Sequence, residues 1–343
     1  MKHLLSGLGG DFSRKLLWVF AAVLLTLSCG ACSSVRKMAV NQLGNALSSS
    51  GTTFSSDDDP EFVAAAVPFS LKMMESLLAE TPKHKGLLLS TTSYFTQYGF
   101  AFIQQEADEL EEKDLAAANE KRDRASRMFK RAWAYGMRGL EVDHPGFEKA
   151  FNANPREAVK QLTKADVPQL FWTAAAGGLR IRADRPETVA EQPKVEALID
   201  RALELDESYD KGVIHSFLIK YEMNRQGVKG EASKRARKHF ARAVALSGGK
   251  DPSPYVSLAE AVSVPKQDAK EFEMLLNKAL AIDVDAQPET RLSSTVMQRR
   301  ARWLLARKDE LILPELEPLP PVPDEAPATT TITPPTTPLL PKP

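Results

Sequence analysis

The sequence predicts an all-α protein: a solenoid of helical hairpins, preceded by a disordered tether and followed by a disordered Pro-rich tail. Three observations predict it. Apolar residues recur at three- and four-residue spacing through the middle of the chain, as one buried helix face requires. No stretch alternates apolar and polar residues convincingly, and no Asn-Gly or Asp-Gly hairpin turn occurs. One helix-end pattern returns four times, as RGLEVD at 138–143, RALELD at 201–206, RAVALS at 242–247 and KALAID at 278–283.

The first element is an address. Lys2, His3, Arg14 and Lys15 precede an apolar run from Leu16 to Leu27. A spanning helix needs about 20 apolar residues, so this shorter run fits the hydrophobic segment of a signal peptide. Ser28-Cys29-Gly30-Ala31-Cys32 follows and reads as a lipobox, with residues 1–31 removed and a diacylglycerol carried on Cys32. Cys29 stands where Leu is usual in a lipobox, so cleavage before Cys29 stays open. The same letters spell C-x-x-C, but they abut a signal segment instead of a strand-to-helix turn that would activate a thiol. A lipidated cysteine places the protein on the periplasmic face of a bacterial membrane. Ser33 after it, in place of an Asp that would favour inner-membrane retention, points to the outer membrane.

Residues 32–59 read as a Ser-rich lipidated tether holding one short helix on Val35, Met38, Val40, Leu43 and Leu47. Asp59-Pro60-Glu61 is a helix start: a capping Asp, Pro at the first turn, then an acid. It opens the solenoid, predicted over 60–312. Phe62, Ala65, Ala66, Phe69, Met73, Leu77 and Leu78 carry the first helical stripe, with Pro68 expected to kink it. An aromatic helix is predicted from Leu87 to Ile103, a charged helix from Leu110 to Asp123, and an amphipathic helix from Arg124 to Val142. Asn154-Pro155 and Val167-Pro168 mark further starts. In the last third, Ala236, Phe240 and Ala243 match the A-x(3)-F-x(2)-A spacing of the second helix of a tetratricopeptide repeat. Small alanines let paired helices approach, and the large apolar residue fills the gap to the next hairpin. The first-helix signature of that repeat is absent as a strict string, and other copies put Val195 or Phe272 where Ala is expected. Residues 313–343 hold eleven of the chain's 23 prolines and little apolar surface to offset ordering, which predicts an extended tail.

The chemistry is sparse. The 45 Lys and Arg balance 45 Asp and Glu, which excludes the basic excess of a nucleic-acid binder. The two cysteines cannot make a disulfide framework. No phosphate-binding glycine loop, zinc-protease motif or nucleophile elbow occurs, so no catalytic residue, metal site or cofactor is assigned. His84, His144, His215 and His239 are scattered without metal-ligand spacing. The basic run Lys234, Arg235, Arg237, Lys238 reads as a solvated face. Aromatics concentrate in the first two-thirds, and stacked helices make concave binding surfaces. The groove candidates are Tyr94, Trp133, Trp172 and His215, the last on an apolar stripe with Val213, Ile214, Phe217 and Leu218.

Several blocks resemble a known family. SSVRKMAVNQLGNAL after the lipobox, DVPQLFWTAAAGGLRI, VEALIDRALELD, GVIHSFL, ARKHFARAVALSGG, SPYVSLAEAVSVPKQDAKEFEMLLNKALAID and RRARWLLAR follow one another in the order of the T-component family of tripartite ATP-independent periplasmic (TRAP) transporters. The resemblance runs from Cys32 to about Leu311. It implies a periplasmic lipoprotein built of tetratricopeptide-like hairpins around a pore or cleft. It also implies association with the transporter's substrate-binding protein, with a hydrophobic ligand. Only Cys32 and the blocks around Trp172 and His215 carry over. The expected partners are that substrate-binding protein, the lipid bilayer through the acylated cysteine, a small apolar or carboxylate ligand, and a second copy of the chain. The alternatives are an envelope-assembly or secretion scaffold and, third, an enzyme such as a cell-wall hydrolase, which would need two acids converging in a cleft.

Overall fold

The computed structural model describes residue 18 and residues 38–48, 51–183 and 188–313. Cys32, the expected signal segment apart from Trp18, and the tail beyond Leu313 lie outside the described residues. No β-strand occurs among the described residues.

Short elements open the described chain: α1 (residues 38–48) and α2 (Gly51–Ser55). Both lie in the segment expected as a tether, and both pack on the body. Gly44 of α1 sits against Leu87 and His84, and Phe54 of α2 meets Tyr94 edge-on at 6.0 Å. The long helix α3 (Pro60–Glu80) begins as expected, with the Asp59 carboxylate accepting from the Phe62 amide and Pro60 in the first turn. It runs on past Pro68 and buries Val63, Val67, Leu71, Met74 and Leu78.

Beyond it the helices fall into two layers. One layer holds α4 (Lys85–Tyr98), α9 (Val167–Ala183), α11 (Val213–Tyr221), α13 (Ser253–Leu258) and α15 (Arg291–Ala306). The other holds α3, α6 (Leu115–Asp143), α10 (Gln192–Leu205), α12 (Ala232–Leu246) and α14 (Ala269–Leu280), with short α7 (Phe147–Ala153) and α8 (Pro155–Ala158) following α6 in the chain. Each inner helix packs on an outer neighbour: α4 on α3 and α6, α9 on α6 and α10, α11 on α12, α13 and α15 on α14. The recurrent small residues sit in these contacts. Ala202, Ala236, Ala243 and Ala279 are all within 1% of full burial, and an added Cβ on Gly136 of α6 would meet Thr173 Oγ1 of α9 at 2.2 Å.

Two boundaries differ from the sequence reading. The charged helix expected over Leu110–Asp123 is broken. A short α5 (Gln105–Leu110) ends there, and Asp114 then caps α6, accepting from the Ala117 amide. From Leu115 the helix continues without interruption into the stretch expected to start at Arg124. Two inner helices also widen into π-helical turns, α4 at Gly99–Gln104 and α13 at Ala259–Ser263.

The row of hairpins closes on itself. Helix α15 packs against α2 and α3. Arg299 pairs with Glu61 at 2.8 Å, and Arg291 donates to the Ser56 carbonyl at 3.2 Å. Arg307 pairs with Glu112. Short α16 (Lys308–Leu311) follows, with Ile312 buried beyond it.

Candidate functional site

The inner layer surrounds a cavity of about 1590 Å³. That exceeds the roughly 300–1,000 Å³ of ordinary small-molecule sites, so the space suits a long or bulky guest. Its apolar wall is aromatic. Phe100 and Phe102 come from the first π-helical turn, Phe171 and Trp172 from α9, Phe217 and Tyr221 from α11, and Trp303 from α15. Phe171 and Trp172 meet at 4.9 Å and 66°, Phe171 and Phe217 at 6.3 Å and 88°, and Phe217 stacks on Tyr221 at 5.5 Å and 23°. Both edge-on and offset geometries are favoured by ring quadrupoles. Gly178 permits the close approach of α11: an added Cβ there would lie 2.8 Å from the Phe217 ring.

A charged group interrupts this wall at the place where the ring closes. Arg300 Nη2 lies 2.6 Å from Glu260 Oε1 and 3.0 Å from Asp108 Oδ2. Lys220 donates to the other oxygen of Glu260. Arg182 reaches Asp108 at 3.6 Å, and Gln104 donates to the same carboxylate at 3.0 Å. The Arg300 guanidinium also lies 4.2 Å above the Trp303 ring. Burial pushes the Glu260 carboxyl up, but Lys220 and Arg300 together outweigh it and hold the group at about 2. Burial pulls the Lys220 ammonium down; Glu260 opposes this, while Arg182 and Arg300 add to the fall. Two lining residues hold buried donors without a hydrogen-bond partner, Arg300 at Nη1 and Tyr221 at its hydroxyl.

Of the sequence-predicted groove residues, Trp172 lines the cavity and the other three do not. Tyr94 is turned to the outer side of α4, against Phe54 and the core behind it. Trp133 belongs to an outer helix and lies across Gly177, where an added Cβ would come within 2.6 Å of its ring. His215 is buried on the α12 side of α11, its Nδ1 2.8 Å from His239 Nδ1 and its Nε2 3.3 Å from Glu207. The reason is the helical period. Val213, Ser216, Phe217, Lys220 and Tyr221 share one face of α11, and His215 lies about 100° away from Ser216. Sequence reasoning missed Asp108, Arg182, Lys220, Glu260 and Arg300. The signal for Lys220 was its three-residue spacing from Phe217; for Arg300 it was the RRARWLLAR block. No group of three or more His, Cys, Asp or Glu side chains suited to a metal occurs among the described residues.

The chain is similar to an uncharacterised protein of Treponema pallidum (strain Nichols), 29% identical over 323 residues, spanning 88% of this chain and 98% of the relative. The family model of the TRAP transporter T-component matches residues 56–312, the span that contains all five inner helices. The chain therefore belongs to the TRAP transporter T-component family, a family of accessory transporter components.

Proposed function

We propose that the protein is a lipid-anchored periplasmic component that associates with the substrate-binding protein of a TRAP transporter and holds a small apolar or acidic ligand in its central cavity. The observation that carries this reading is the closed ring of five inner helices around an aromatic space of about 1590 Å³. The helices are packed through buried alanines and glycines, so the space is preorganised and little ordering entropy opposes a guest. Acylation at Cys32 confines the ring to the periplasmic face of the membrane, within reach of a periplasmic substrate-binding protein. Diacylglycerol with a further acyl chain gives firmer anchoring than a single chain.

Crosslinking in cells followed by affinity capture tests the partner. Recovery of a solute-binding protein is expected. Recovery of only outer-membrane assembly or secretion proteins would replace this reading with the scaffold alternative. Membrane fractionation tests the anchor. Cys32→Ala combined with Cys29→Ala is expected to move the protein to the soluble periplasm, and a double variant that still sediments with membranes sinks the anchor.

A further inference from the structure

The cavity's charged group carries more positive charge than its own carboxylates neutralise. Three cations, Arg182, Lys220 and Arg300, face two acids, Asp108 and Glu260. Asp108 is further shared with Arg122 at 4.0 Å, although Arg122 is chiefly engaged by Glu111 at 2.7 Å. Glu260 is taken up by Lys220 and Arg300. Among the described residues Arg182 is left with the single ion-pair contact to Asp108 at 3.6 Å, beyond hydrogen-bond range, on a half-exposed side chain. Arg300, whose side chain is only 8% exposed, keeps Nη1 without a partner. Of the remaining charged lining, Glu111 is engaged by Arg122 and Arg307 by Glu112 and Glu310, while Asp210, Lys211, Lys250, Asp251 and Glu289 form a separate group tied through Lys211 and Glu289 at 2.7 Å. Within the five groups Arg182, Lys220, Arg300, Asp108 and Glu260 the excess is thus one positive unit, next to a wall that is largely aromatic.

We propose that Arg182, Lys220 and Arg300 form an anion subsite for the head of a single-headed organic anion whose apolar body lies along Trp172, Phe171 and Phe217. The proposal rests on the reading that the cavity holds a ligand. The same helix supplies both ends of the site. Trp172 and Arg182 are separated by about 15 Å along α9 at the helical rise per residue. Ala175, Gly178 and Leu179 make the wall between them. That length fits a medium-chain acyl or aryl-alkyl acid better than a compact polar anion. Planar donor forks on two arginines suit a carboxylate, and a low-dielectric wall strengthens each contact. A second anionic head would find only the group around Lys211, where Asp210, Asp251 and Glu289 repel it.

The test uses the full-length folded chain and two fluorescent probes, dansyl-labelled undecanoate and its methyl ester, at fixed ionic strength. The acid is expected to bind at least about tenfold more tightly than the ester. Arg182→Gln is expected to remove most of that preference and leave ester binding unchanged, while Arg182→Lys retains it. Trp172→Ala is expected to weaken both probes alike. Equal affinity for acid and ester, or an acid preference indifferent to Arg182→Gln, overturns the anion subsite and leaves the apolar cavity standing. If neither probe binds, the subsite and the ligand-holding role both fall, while the crosslinking result still decides the partner. Unchanged helical circular dichroism and melting of Arg182→Gln show that the readout is not a folding defect.

Discussion

His215 and His239 show how a side chain's meaning depends on what the fold puts beside it. In sequence, His215 stands out as a lone polar group on an apolar stripe. In the structure its Nδ1 faces that of His239 at 2.8 Å, so at most one of the two nitrogens donates, and neither ring lines the cavity. Burial lowers both imidazoles. Glu207 partly restores His215 and Arg242 opposes it. Repulsion from His215 adds to the fall at His239, Asp200 and Glu222 pull upward, Arg225 downward, and the ring settles at about 4 from an ordinary 6.5. A depressed histidine stabilises the fold fully above its unfolded pKa, and that contribution is lost as the unfolded chain takes up protons first. Stability is therefore expected to fall between about pH 6.5 and about pH 4 through this pair, above the range where carboxylates dominate. Urea-unfolding midpoints should drop between about pH 7.5 and about pH 5, and His239→Gln should flatten that slope. An unchanged slope in the variant would refute the assignment. The groove candidates teach the same lesson. Trp172, Trp133 and Tyr94 look alike in sequence, and only the neighbouring helix decides which ring faces inward.

Among the elements, starts were more legible than interruptions. Asp59-Pro60 and Asn154-Pro155 combine a capping oxygen with a proline of preset φ, and the caps are present, Asn154 accepting from Glu157. The break before Asp114 was not read, because Glu111, Glu112 and Lys113 favour helix as much as their neighbours do. The π-helical turns leave no compositional mark at all. Yet they aim the site: the amide of Gln105 bonds the Phe100 carbonyl, that of Val264 the Ala259 carbonyl, and each turn faces the cavity. Deleting Ala101 would restore regular α-helical spacing and rotate α5 by about 100° relative to α4, swinging Asp108 off Arg300. A lower melting temperature is expected, because Arg300 loses a buried partner. Wild-type melting of the deletion variant would show that the turn is incidental.

At the scale of the molecule, ion pairs span the closure of the ring beside apolar contacts such as Leu292 of α15 with the cluster of Val63 and Val67. Acids near the chain's beginning (Glu61, Asp108, Glu112) meet arginines near the end of the described body (Arg299, Arg300, Arg307). These pairs are not equal. Arg299 and Glu61 are both largely exposed, and such pairs contribute less than about 1 kcal/mol, so Arg299→Ala is expected to be nearly silent. Arg300, Asp108 and Glu260 are mostly buried, and removing one partner from such a set costs about 3–5 kcal/mol because the others keep an uncompensated charge. Arg300→Met is therefore expected to destabilise the ring strongly. Chemical denaturation of both variants checks the contrast, and equal small effects would mean that the apolar contacts close the ring without the ions.

Local features are legible in the residues alone: helical periodicity, caps, and the small residues at helix ends that let neighbours pack. Those are properties of a few consecutive residues, and buried Ala202, Ala243 and Ala279 agree with them. The folded molecule alone reveals which helices face inward, that the row returns to its start, and that Asp108, Arg182, Lys220, Glu260 and Arg300 meet in one place. Those facts depend on small rotations accumulated from hairpin to hairpin, including two π-helical turns, and no short window of residues encodes that sum.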